Sequence, residues 1–191
     1  MNINIPNFIT LGRVIAVPII FWLLISGQSK PAFFVFVAAG ISDAVDGYLA
    51  KTFDWKTELG AHLDPLADKL LIVSIYIALG VRAEIPLWLV IAVVSRDILI
   101  LLAIVVSWLM EHPVAIRPIA VSKLNTLAQI VLAATVLADA AFQLDLDRMG
   151  IRTALVWITG VLTVLSLAAY LKAWLMHMTG NGDTGADGTL V

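Results

Sequence analysis

Six long apolar stretches, separated by short polar segments, dominate the pattern of the chain. A helix that crosses a bilayer needs about 20 mostly apolar residues. The pattern predicts such helices over residues 8–26, 31–50, 59–81, 85–110, 121–142 and 151–178. Segment 179–191 is rich in glycine and aspartate, which predicts a disordered tail. We therefore expect an all-α integral membrane protein with six transmembrane helices, forming one domain over residues 1–178.

The composition supports a membrane protein and excludes other classes. Hydrophobic residues make up 61% of the 191 residues, and the mean hydropathy is +0.98, whereas soluble domains contain about 45–50% apolar residues. The formal net charge is −2 and the basic residues are scattered, so nucleic acid is not an expected partner. The chain has no cysteine, which excludes disulfides and thiol chemistry. Residues 1–7 lack the basic start of a signal peptide, so the first helix is expected to be retained.

Four aspartates interrupt the second and third apolar stretches: Asp43, Asp46, Asp64 and Asp68. An aspartate near the centre of a membrane costs about 2.5–3.5 kcal/mol, so these carboxylates need compensating partners. Spacings of three and four residues place each pair on one face of its helix. We expect the two faces to meet as a cage of oxygen ligands, which suits magnesium, manganese or calcium.

The segment 43–68 resembles the signature of the CDP-alcohol phosphatidyltransferase family, Asp-x2-Asp-Gly-x2-Ala-Arg-x8-Gly-x3-Asp-x3-Asp. It departs from that signature at one position, where Lys51 replaces arginine. Lysine keeps the charge but lacks the planar fork that binds phosphate through two hydrogen bonds. The matching positions besides the aspartates are Gly47, Ala50 and Gly60.

The resemblance implies a reaction, in which a phosphatidyl group moves from CDP-diacylglycerol to an alcohol and CMP is released. It implies two Mg²⁺ or Mn²⁺ ions that are bound by four ligands: Asp43, Asp46, Asp64 and Asp68. It also implies that Asp68 acts as the general base. It implies that the CDP moiety binds at Asp43, Gly47, Ala50, Lys51 and Gly60. A homodimer is a further expectation from the family.

Three basic residues are candidates for binding the phosphate of the acceptor: Arg96, Arg117 and Lys123. Arg96 and Asp97 interrupt the fourth stretch, either as a pair that only lowers the cost of insertion or with Arg96 pointing into a cavity. The segments 95–97 and 122–126 resemble the cardiolipin synthases of the family, and Asn125 stands where relatives that use glycerol 3-phosphate have a second lysine. One fewer cation suits a singly charged phosphodiester. We therefore expect phosphatidylglycerol as the acceptor, with glycerol 3-phosphate as the alternative.

Basic residues near the helix ends favour one orientation. If six helices cross the membrane, both termini lie on the same side. The connection between the second and third helices and the connection between the fourth and fifth helices lie on that side as well. That side has six basic residues and the other has four: Arg13, Lys51, Lys56, Arg117, Lys123 and Lys172, against Lys30, Arg82, Arg148 and Arg152. The bias places the termini and the aspartates in the cytoplasm. Together with the resemblance, it predicts a protein of the bacterial inner membrane with a cytoplasmic active site.

Alternatives remain for the protein and for individual residues. A cation transporter could use the buried carboxylates, although residues 121–178 hold no matching half-site; a noncatalytic lipid-binding scaffold is the other rival. Arg13 ends a segment that resembles the start of many bacterial enzymes of the family, or else it is a snorkelling arginine beside a helix cap. The sixth helix looks purely apolar apart from Lys172 and His177 near its end.

Overall fold

A computed structural model describes the backbone of residues 5–53, 58–109 and 120–178, and within them the side chains of residues 12–42, 69–100, 102 and 120–175. These residues form helices and short turns. The helices are α1 (Ile5–Ile25), α2 (Ser29–Phe53), α3 (Glu58–Val81), α4 (Leu87–Leu109), α5 (Ala120–Phe142) and α6 (Ile151–Met178). The six predicted helices are confirmed, with bounds that differ by three residues or fewer. The predicted tail, residues 179–191, lies outside the described residues.

Backbone caps explain where α1 and α3 end. After α1, the N–H of Gly27 donates to the carbonyl oxygen of Leu24 at 3.0 Å and that of Gln28 to Leu23 at 2.8 Å. These two bonds form a Schellman motif, which needs a left-handed residue where Gly27 has its φ of 77°. The same pair of bonds closes α3, but there Ala83 occupies the left-handed position with a φ of 56°.

An ion-pair network links the α1–α2, α3–α4 and α5–α6 connections at one end of the bundle. Arg82, just after α3, donates to the carbonyl oxygen of Leu24 at 2.7 Å and pairs with Glu84 at 3.5 Å. Glu84 also accepts a hydrogen bond from Arg152 of α6 at 3.0 Å. Because α2 begins and α3 ends here, the segments of α2 and α3 that carry the aspartates lie toward the opposite end.

The helices pack around a core of large apolar side chains. α1 contacts α2 and α3, α5 contacts α2, α3 and α6, and α4 contacts α3 and α6. Ile20, Ile75, Leu89 and Leu137 are fully buried in this core. The buried Tyr76 joins α3 to α5, because its hydroxyl donates to the backbone carbonyl of Gln129 at 3.2 Å.

The outer surface of the bundle is apolar. All six helices expose large apolar side chains, among them Trp22, Phe34, Ile77, Ile91, Leu127 and Val164. Within the described residues, two segments are long and apolar enough to cross a membrane, Ala120–Phe142 and Ile151–Leu175. Shorter apolar segments lie in α1, α2 and α3. The six-helix architecture is therefore confirmed, and the crossing of a bilayer by all six helices stays a prediction.

Candidate functional site

The four aspartates lie on two helices, as predicted. Asp43 and Asp46 are in the second half of α2, and Asp64 and Asp68 are in the first half of α3. Their helical spacing places each pair on one face. The side chains of residues 43–68 lie outside the described ones, so the metal ligands, the CDP contacts and the catalytic base stay predictions.

The chemistry of this donor set suits a hard divalent cation, because carboxylate oxygens are the ligands that magnesium and manganese prefer. Among the side chains that the structure describes, no group of three or more histidines and carboxylates could hold a metal ion. The aspartates of α2 and α3 thus stay the candidate ligands.

A cavity of about 300 Å³ lies between five helices beside these aspartates. Gly40 in its wall precedes Asp43 by three residues, and Lys69 directly follows Asp68. The cavity therefore adjoins the segments that carry the predicted metal ligands. Its polar wall, among the described residues, consists of Arg13, Lys69, Arg96, Asp97, Thr126 and Gln129.

Arg96 is held in the cavity wall by contacts to three helices. Its Nη1 donates to Asp97, and its Nη2 donates to Ser122 of α5 and, at 2.8 Å, to Ser166 of α6. The guanidinium carbon lies 5.7 Å from the ring centroid of Tyr170, within the range of a cation–π contact. The predicted internal pair with Asp97 is confirmed, and Arg96 also lines the cavity. Binding of the acceptor phosphate by Arg96 stays a prediction.

Basic residues predominate among the described residues of the cavity wall. Of these, three are basic and one is acidic: Arg13, Lys69 and Arg96, with Asp97. Arg13 is 3% exposed, so the interpretation of this residue as a snorkelling arginine is wrong. Charges interact more strongly in a buried site than in water. The wall therefore favours an anionic ligand group, and Arg13 and Lys69 are two basic residues that the sequence did not assign to the acceptor.

The other predicted acceptor residues lie elsewhere. Lys123 is exposed in the first part of α5 and is not part of the cavity wall. Arg117 lies outside the described residues. Their roles stay predictions.

Asn125 is buried in the contact between α5 and α6. The Oγ1 of Thr163 lies 2.9 Å from the Oδ1 of Asn125 and 2.8 Å from the carbonyl oxygen of Thr159, yet a hydroxyl has only one proton to donate. The Nδ2 of Asn125 has no partner among the described residues. Exchanging the two ends of the amide resolves both problems, because Asn125 then donates to Thr163. Asn125 therefore links α5 to α6 through its hydrogen bond with Thr163.

The prediction that the sixth helix is purely apolar before its end is wrong. Thr159, Thr163 and Ser166 are fully or almost fully buried, and Ser166 binds Arg96. With Tyr170 they recur at spacings of four and three residues, which place them on one helix face. This spacing is a signal in the sequence that could have revealed the polar face of α6.

Comparison with known proteins decides the family. Residues 3–165 match the family model of the CDP-alcohol phosphatidyltransferases. The chain belongs to the CDP-alcohol phosphatidyltransferase family. It is thus a transferase of phospholipid biosynthesis by family, and the resemblance of segment 43–68 is confirmed.

Named members of the CDP-alcohol phosphatidyltransferase family resemble the chain at similar identity. A cardiolipin synthase (CMP-forming)/mitochondrial hydrolase fusion protein of Schizosaccharomyces pombe is 32% identical over 182 residues, covering 87% of this chain and 30% of that protein. A chloroplastic CDP-diacylglycerol–glycerol-3-phosphate 3-phosphatidyltransferase of Oryza sativa is 30% identical, covering 88% and 56%. A CDP-diacylglycerol–glycerol-3-phosphate 3-phosphatidyltransferase of Haemophilus influenzae is 32% identical, covering 90% of this chain and 94% of that protein.

The chain thus spans less than two thirds of the fungal and plant relatives and nearly all of the bacterial one. Their names include both cardiolipin synthase and glycerol-3-phosphate 3-phosphatidyltransferase, so the comparisons leave the acceptor of this CDP-alcohol phosphatidyltransferase open. In chemical terms, carboxylates, which suit divalent cations, lie in segments that adjoin a cavity whose described charged residues are mostly basic. Such an arrangement can bring two anionic substrates together.

Proposed function

We propose that the protein transfers a phosphatidyl group from CDP-diacylglycerol to phosphatidylglycerol, releasing CMP and forming cardiolipin. The reaction takes place at the cytoplasmic face of a bacterial inner membrane that all six helices cross. The observation that carries the proposal is the cavity whose described wall contains Arg13, Lys69 and Arg96, beside the aspartate-bearing segments of α2 and α3. The cavity receives the acceptor, and the aspartates receive the CDP moiety.

Different residues of this chain have different roles in the reaction. Asp43, Asp46, Asp64 and Asp68 would hold the divalent ions, which when bound would neutralise the diphosphate and polarise the reacting phosphorus. An acceptor hydroxyl attacks the phosphorus of the phosphatidyl group, the bond to CMP breaks, and the hydroxyl proton passes to Asp68. Gly47 and Gly60 leave room for the nucleotide to approach the backbone. Ala50 and Lys51 complete the CDP contacts on α2.

The state of Arg96 supports an acceptor of low charge. Asp97 already offsets its charge, and Ser122 and Ser166 engage its Nη2. A guanidinium that is offset in this way is a weaker ligand for a phosphomonoester than a free one. A phosphodiester such as phosphatidylglycerol needs less compensation. Lys123 and Arg117 are the further candidates for binding the acceptor phosphate.

Glycerol 3-phosphate is the second candidate acceptor, and Arg13 and Lys69 favour it. Asn125 is not among the described residues that line the cavity, so its lack of charge does not offset the two cations that Arg13 and Lys69 contribute there. A phosphomonoester near two negative charges would gain from both cations.

The acids of the second half of the chain support the enzyme over a cation transporter. Asp139 accepts a hydrogen bond from the backbone N–H of Leu146 at 3.2 Å, and Asp145 pairs with Arg148 on the surface. Both contacts are local to the α5–α6 connection, so these carboxylates do not form a second cation site along a pathway.

The test is an assay of the purified protein with CDP-diacylglycerol and Mg²⁺ or Mn²⁺, offering phosphatidylglycerol and glycerol 3-phosphate separately. We expect cardiolipin with phosphatidylglycerol and loss of CMP release when a chelator removes the divalent ion. Phosphatidylglycerophosphate formed only with glycerol 3-phosphate would reverse the choice of acceptor. Absence of CMP release with both would overturn phosphatidyl transfer.

Asp68→Asn tests the general base. The amide cannot take the proton of the attacking hydroxyl, so turnover should fall by roughly 10²–10⁴-fold. Binding of CDP-diacylglycerol, measured by equilibrium titration, should persist because three aspartates stay in place. Near-normal turnover would remove Asp68 as the base.

A further inference from the structure

Gln129 lines the cavity and carries a buried amide without a partner. The residue is 2% exposed, and its Nε2 has no hydrogen-bond partner in the described part of the protein. The hydroxyl of Tyr76 holds the backbone of Gln129 in place. A buried amide that has lost its hydrogen bonds to water is unfavourable unless another polar group replaces them. The Gln129 amide is therefore a group that a ligand in the cavity would satisfy.

The ligand group that suits Gln129 is an uncharged oxygen. Arg13, Lys69 and Arg96 already supply the positive charge that a phosphate requires. An amide adds a directed hydrogen bond without charge. Buried polar groups of this kind discriminate against ligands that lack the matching hydroxyl, because such ligands leave the protein group unpaired.

We propose that Gln129 determines acceptor specificity by donating a hydrogen bond to the hydroxyl that neighbours the attacking hydroxyl of a glycerol unit. The inference rests on the proposed function and deepens it. Phosphatidylglycerol and glycerol 3-phosphate both carry this second hydroxyl, so the role is the same for either acceptor. A cavity of about 300 Å³ is at the lower end of the range of roughly 300–1,000 Å³ for ligand sites. It holds the glycerol phosphate head group and leaves acyl chains outside.

The experiment compares phosphatidylglycerol, the glycerol acceptor, with an analogue of this lipid. In the analogue, propane-1,3-diol replaces the glycerol of the head group, so the second hydroxyl is absent. Wild-type protein should prefer the glycerol acceptor by roughly 3- to 10-fold in kcat/KM, the size of one uncharged hydrogen bond. Gln129→Met, which keeps the size of the side chain, should reduce the preference to less than about twofold. The KM for CDP-diacylglycerol should not change.

Gln28→Met is the matched control, because Gln28 is an exposed glutamine in the α1–α2 turn at the other end of the bundle. This variant should keep the wild-type preference. If Gln129→Met lowered kcat/KM equally for the glycerol acceptor and for its propane-1,3-diol analogue, the residue would have only a packing role, and the inference would be overturned. Equal use of both acceptors by wild-type protein would overturn it without any variant. A wild-type protein that releases no CMP with either acceptor would instead refute the proposed function itself.

Discussion

The two arginine clusters of the bundle balance their charges differently. The Arg82 cluster, formed by Arg82, Glu84 and Arg152, lines a cavity of about 760 Å³ that also contains Asp147, so two cations stand against two carboxylates. The cavity cluster, formed by Arg13, Lys69, Arg96 and Asp97, lines a smaller space of about 300 Å³ and has, among the described residues, three cations and one carboxylate.

The contacts of the two clusters differ in the same way. In the Arg82 cluster, Glu84 bridges both arginines, and Arg82 also donates to the backbone carbonyl of Leu24 in the last turn of α1. In the cavity cluster, the Nε of Arg96 and the Nε2 of Gln129 are buried without partners among the described residues. Charge balance and unpaired donors among the described residues, rather than the volume of a cavity, are therefore the reasons for which we propose the cavity cluster, and not the Arg82 cluster, as the ligand site.

Arg96→Met should have the largest effect of the changes that test this comparison. It leaves the buried carboxylate of Asp97 without its counter-charge, which typically destabilises a protein by about 3–5 kcal/mol. It also removes the contacts to Ser122 and Ser166. We expect a much lower unfolding temperature in detergent and no phosphatidyl transfer.

The double variant Arg96→Met with Asp97→Leu separates the two effects, because it removes both charges together. Stability should largely recover and transfer should not. A double variant that regains transfer would show that Arg96 serves only the structure, which would make the two clusters alike.

Glu84→Gln should destabilise the protein by about 2 kcal/mol, since hydrogen bonds to charged groups contribute roughly 1.5–3 kcal/mol. The reason is that Arg82 and Arg152 would lose their shared carboxylate. Below the unfolding temperature, acceptor KM and turnover should stay within about twofold of wild type. Asp145→Asn is the control, because the exposed pair with Arg148 contributes little to stability. A rise in acceptor KM in Glu84→Gln would contradict a purely structural role.

Lys69→Met should have the smallest effect on stability and a clear effect on the acceptor. Removing one cation from the cavity wall should raise acceptor KM by roughly tenfold, the effect of losing one charged hydrogen bond. The dependence of acceptor KM on salt should weaken as well. Lys30→Met, at an exposed lysine near the start of α2, is the matched control. An unchanged acceptor KM would place Lys69 outside the binding site.

Most of the fold could be predicted from the sequence. Long apolar stretches with polar breaks located all six helices, because helix length and hydropathy are local properties of the chain. Segment 43–68 gave the family for the same reason, since its residues lie at fixed offsets along two consecutive helices. The meeting of the two aspartate faces stays a prediction from that spacing.

The polar wall of the cavity was decided by the tertiary structure. Arg13, Arg96 and Gln129 come from α1, α4 and α5, and Arg96 binds Ser166, which is 70 residues further along the chain. On a helix whose core-facing and outward-facing sides are both apolar, the hydrophobic pattern does not specify how the helix is rotated about its axis. Packing against neighbouring helices sets that rotation, and so only the folded protein reveals which polar side chains meet.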